Sequence, residues 1–87
     1  MYASEWLRDL YQKFDARERA LAEEALMEWV LSDDEGLRFD AEVLTRELKI
    51  VTVAPALEQL AIRLQLSRAP SAPSERKRVA MILQELR

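Results

Sequence analysis

The side chains able to do chemistry here are carboxylates and guanidiniums, because the chain contains neither histidine nor cysteine. Close carboxyl groups can divide acid and base roles when their surroundings separate their pKa values. The obvious pairs are Glu23-Glu24 and Asp33-Asp34. Adjacent residues on a helix point about 100° apart, so neither pair is set to share one substrate. Missing histidine removes Ser–His catalysis, imidazole metal ligands and the usual near-neutral proton carrier. Missing cysteine removes thiolate nucleophiles, disulfides and zinc–thiolate sites. A single glycine leaves no phosphate-cradling loop. Helical di-metal sites built on Glu-x-x-His pairs cannot form. The expectation is a non-enzyme without cofactor, metal or small-molecule substrate.

Asp33-Asp34-Glu35 invites a calcium reading. An EF-hand needs oxygen ligands along its whole loop, and Leu37 and Phe39 stand where ligands belong. Acids at a helix start need no metal, because the helix dipole favours them there.

Charge is distributed unevenly. The net charge is −3, but residues 1–47 hold 13 acids against 6 bases and residues 48–87 hold 3 acids against 7 bases. The candidates for partner binding are Arg17, Glu24 and Glu28 on one narrow helix face, with the acids Asp33, Asp34 and Glu35 at the following turn. Arg76, Lys77 and Arg78 form a candidate basic patch. No aromatic residue interleaves with them and the pI is about 5.0, so nucleic-acid binding is the weaker reading.

The elements that position these groups read as all-α, with about five amphipathic helices near 4–14, 16–31, 34–48, 54–66 and 74–86. At 87 residues the chain is expected to form one small domain, 1–87. Ser4 and Asp15 are N-cap candidates, and Asp15-Ala16-Arg17-Glu18 resembles a capping box. The second predicted helix is apolar over most of its surface, Trp29 included, so contact from several sides is expected. In the third, Leu37, Ala41, Leu44 and Leu48 fall within about 60° and predict the buried stripe. Phe39, Val43 and Ile50 make a second stripe and a candidate apolar interface. Lys49 to Val53 is β-branched, but a lone strand is unstable, so a helix connection is expected with Thr52 as cap and Pro55 in the first turn. Residues 67–73 carry two prolines and read as a linker before the last helix.

The third and fourth predicted helices resemble a HEAT repeat over residues 33–66. Asp34, Leu37-Arg38, Ala41, Leu44 and Leu48 occupy first-helix positions, and Pro55, Leu57, Leu60 and Leu64 those of the second. The resemblance implies antiparallel helical hairpins in right-handed stacking, and a scaffold that binds proteins rather than a catalyst.

The expected function is therefore a non-catalytic protein-interaction module. Small size and an acidic face fit an immunity- or antitoxin-like protein that neutralises a basic partner. A structural homo-oligomer, acidic half against basic end, is the alternative. A weak nucleic-acid binder using the basic end is the second. The N-terminus shows no signal peptide, no apolar run reaches membrane-spanning length, and cysteine is absent, so a cytoplasmic location is expected.

Overall fold

The computed structural model describes residues 9–87. Among them there is no strand. Residues 9–13 are helical and end at Phe14; the remainder of the predicted first helix, with its Ser4 cap and Trp6, lies outside the described residues. Four α-helices follow: α1 (Ala16–Val30), α2 (Glu35–Leu48), α3 (Ala54–Leu66) and α4 (Ala72–Leu86). A single turn of 3-10 helix, Val51–Val53, joins α2 to α3.

The boundaries follow from local chemistry. Asp15 caps α1 with a reciprocal box: Glu18 N–H donates to Asp15 Oδ1 at 2.8 Å, and Asp15 N–H donates to Glu18 Oε1 at 3.1 Å. Asp34 caps α2, accepting from the Leu37 N–H at 3.1 Å. Pro55 and Pro73 sit in the first turns of α3 and α4, where the missing N–H has no helical partner to lose. Helix α4 thus begins at Ala72, two residues before the expected start, and Ala72 is buried. Thr52 does not cap α3; its hydroxyl donates to the Glu23 carboxylate instead, and Tyr11 donates to the same group at 3.0 Å.

Helix α2 ends in a Schellman motif. Lys49 adopts φ 52° and ψ 49°, the left-handed region. The Ile50 N–H reaches back to the Thr45 carbonyl at 3.1 Å and the Lys49 N–H to that of Arg46 at 3.3 Å. This reversal turns Ile50 inward to 4% exposure. The expected Phe39–Val43–Ile50 stripe is corrected accordingly: Ile50 is core, because the helix stops before its wheel position is reached. Phe39 stays exposed and Val43 half-buried.

The core is built from Leu26 and Val30 of α1, Ala41 of α2, Ile50 and Val53 of the connection, Leu57, Leu60 and Leu64 of α3, and Val79, Ile82 and Leu83 of α4. The closest-packed pairs are α3 with α4 and α1 with α2; α1 also meets α3, and α2 meets α4. Each helix therefore has two principal neighbours, and α2 and α3 make few contacts with each other. The pair that carries the HEAT resemblance is not a close-packed hairpin. The hairpins are α1–α2 and α3–α4. No helix among the described residues is long and apolar enough to cross a membrane.

Candidate functional site: a buried ion cluster between two charged surfaces

The face that α2 turns toward α4 is polar. Arg38, Glu42 and Thr45 share it with Ala41, while Leu37, predicted as core, is 40% exposed. Glu42 and Glu75 are both fully buried, at 0% and 1% exposure. Arg38 grips Glu75 with two parallel bonds, Nε to Oε2 at 2.7 Å and Nη2 to Oε1 at 2.9 Å. Its Nη1 donates to the Ser32 carbonyl at 3.0 Å, which ties the α1–α2 turn to α4. Arg78 donates to Glu42 Oε1 at 2.8 Å, and its guanidinium lies over the Phe39 ring, 4.8 Å from the centroid. The Thr45 hydroxyl satisfies itself on the Ala41 carbonyl at 2.7 Å. No donor reaches Glu42 Oε2.

The two carboxyl groups are driven apart. Burial acts most strongly on Glu42 and the neighbouring Glu75 carboxyl adds to it; together they outweigh Arg78 and push Glu42 up to about 7. Burial acts on Glu75 in the same direction, but hydrogen bonds from Arg38 and Glu42, with the charges of Arg38 and Arg78, hold it below its ordinary value. On the acidic side of about 7 the pair thus carries one proton, held mainly on Glu42, because two buried carboxylates side by side repel. The cluster has separated acid and base, yet it lies closed inside the helix interface. Its clearest role is to join the two hairpins.

Outside the cluster, ion pairing sorts the remaining charge. Arg46 pairs with Glu85 at 2.8 Å and Arg87 with Glu58 at 3.1 Å. All three acids of α3 and α4 are thereby matched, leaving Arg63, Arg68, Arg76 and Lys77 as cations there without an acidic partner among the described residues. Arg63 donates instead to the Leu31 carbonyl at 2.7 Å, closing the C-terminal end of α1. Conversely, no acid between Asp15 and Glu35 has a salt-bridge partner among the described residues.

The structure brings the partner-binding candidates together in part. Arg17, Glu24 and Glu28 are exposed on one stripe of α1, with Leu21, 59% exposed, between them. Asp33, Asp34 and Glu35 are exposed at the turn that follows α1. Asp34 is occupied as the α2 cap. Trp29 was expected in the core; it is 40% exposed, because only Leu26 and Val30 of α1 point fully inward. It edges an apolar hollow of about 160 Å³ shared with Leu10, Phe14 and Leu44. The basic candidates are divided. Arg76 and Lys77 are exposed, but Arg78 is withdrawn from the patch by Glu42 and Phe39. Arg76 and Lys77 border a groove of about 480 Å³ between α3 and α4, floored by Ala61, Pro73, Ala80 and Leu83. No group of acids among the described residues is arranged to hold a metal ion.

Sequence reasoning missed Glu42 and Glu75 altogether. The available signal was Arg38, Glu42 and Thr45 falling beside Ala41 on one face. That face reads as solvated unless the charged residues of the last helix are set against it. No protein-family model, no curated protein and no solved structure matches the chain.

Proposed function

We propose that the protein is a non-catalytic interaction module that receives a cationic protein surface on the outward face of α1 and the acidic turn after it. One observation carries this reading. Arginines neutralise every acid of the C-terminal hairpin, whereas Glu24, Glu28, Asp33 and Glu35 stay exposed without a salt-bridge partner among the described residues. Glu28 stands in the last turn of α1, where the helix dipole disfavours a negative charge. Its placement opposes local helix stability and adds to the outward negative field. Such a field steers a cationic partner and raises the rate of encounter. Exposed Leu21 supplies an apolar contact on the same stripe as Glu24 and Glu28. A basic nuclease or toxin, whose phosphate-binding cleft would accept such a face, is the partner class in view. A cytoplasmic site of action accords with the lack of cysteine.

The test is calorimetric titration with a cationic amphipathic helical peptide over a salt series. Wild type should bind, with an affinity that falls as salt rises. Glu24→Lys with Glu28→Lys should weaken binding by about tenfold or more and flatten the salt dependence. Asp40→Lys with Glu47→Lys changes the net charge equally, on a different helix, and should leave most of the binding intact. Equal losses in the two double variants would reduce the effect to net charge and remove the site.

A further inference from the structure

The groove between α3 and α4 has the opposite character to the α1 face. Its floor is Ala61, Pro73, Ala80 and Leu83, and its rim is Arg76 and Lys77. Small residues on the floor let another backbone approach, and the two cations have no ionic partner among the described residues. Every acid of α3 and α4 is already held by an arginine, so the groove has no counter-charge of its own to fold in. An occupant must bring an apolar ridge flanked by acids spaced along a helix. The outward face of α1 has that form: Leu21 is exposed, and Glu24 and Glu28 follow it on the same stripe, one turn apart.

We propose that the groove between α3 and α4 receives the outward face of α1 from a second copy of this chain. The contact is helix-in-groove, with Leu21 against the alanine and leucine floor and the two glutamates against Arg76 and Lys77. It joins two different surfaces, so it is heterologous and repeats from copy to copy unless the rotation closes a ring. It rests on the reading of the α1 face as a docking surface and names the copy itself as one cationic partner. Both charged surfaces are exposed, so the association is salt-sensitive and is governed by charge complementarity more than by area.

Sedimentation of the wild type over a concentration series tests the proposal. At about 20 mM salt the average mass should rise with concentration, and at about 500 mM, where the Debye length is only ~4 Å, association should weaken by about tenfold or more. Arg76→Glu with Lys77→Glu reverses the groove charge and keeps the α1 face. Glu24→Lys with Glu28→Lys does the reverse. Each variant alone should be monomeric, with unchanged helicity by circular dichroism. Mixed in equal amounts they should associate again, with the two variants alternating, since each reversed surface complements a surface of the other variant. Wild type that stays monomeric throughout, variants that self-associate as wild type does, or a silent mixture would each overturn the proposal. The groove variant retains the α1 face, so the cationic-peptide titration separates the two readings. Peptide binding without self-association sinks only the second-copy contact. Failure of the wild type to bind the peptide sinks the docking face itself.

Discussion

Glu42 is the residue on which the most physical consequence falls. No histidine or cysteine exists to titrate between the carboxylate range and neutrality, so a pH dependence of stability in that interval reports chiefly on this side chain. The sign follows from linkage. Glu42 rises from 4.5 to about 7 on folding, so in that window the folded state holds a proton the unfolded state has released. Stability therefore falls as pH rises from about 4.5 to about 7, by up to roughly 3 kcal/mol, and is level above. Glu75 is lowered by its arginines, so its contribution is present above 4.5 and is lost as pH falls through its folded value. The two together place the maximum at about pH 4.5, between the two shifts. Urea denaturation at about pH 5, 6, 7 and 8 measures this directly. Glu42→Gln imitates the protonated form and should abolish the slope, becoming more stable than wild type at about pH 8. A wild-type slope that survives in the variant would show that the proton resides elsewhere. None of this was visible along the chain. Glu42 and Glu75 are far apart in sequence, and each sits among charges that a helical wheel assigns to solvent.

At the scale of elements, local chemistry was far more legible. Asp15 and Pro55 marked helix starts because capping and proline geometry act within a few residues. The end of α2 was not legible. Schellman endings favour glycine, and this one has Lys49 at φ 52°. The wheel therefore ran on to Ile50 and assigned it to an outer stripe. A left-handed lysine costs about 1–2 kcal/mol, which Ile50 burial and the two back-bonds offset. Lys49→Gly removes that cost, while glycine's extra unfolded-state entropy returns part of it. The variant should be more stable by about 0.5–1 kcal/mol, read as a higher urea midpoint at unchanged m-value. A loss of stability would show that the Lys49 side chain contributes something its exposed position does not suggest. The buried stripe of α2 illustrates a different limit. Ala41 was identified, but Leu37 was not core, because the helix turns Arg38 and Glu42 to α4 in place of its leucines.

Over the whole molecule, helix class and number say little about which helices touch. The apolar residues of α2 and α3 matched a hairpin pattern, yet α2 packs on α1 and α4. The reason lies in the cations. Arg38, Arg46 and Arg78 each bridge α2 to α4, and the buried Glu75 carboxylate without Arg38 would be costly, which favours that pairing. Hydrophobic periodicity cannot register this, since it counts polar residues as solvated. The charge asymmetry was legible from counting, but pairing sharpens it: the C-terminal hairpin spends its acids internally and shows only cations, while α1 keeps its acids outside. A chain without cysteine allows the arrangement to be checked cleanly. Arg46 and Glu85, on α2 and α4, meet at 2.8 Å and both are about half exposed, so Arg46→Cys with Glu85→Cys should react with a short bismaleimide to close an intramolecular bridge. Asp40→Cys with Ile62→Cys places thiols on exposed positions of α2 and α3, helices that scarcely meet, and should stay open. Trypsin cleavage between the helices followed by mass spectrometry distinguishes the two. Closure of the second pair but not the first would return α2 and α3 to one hairpin and remove the ion cluster as the joint between the halves.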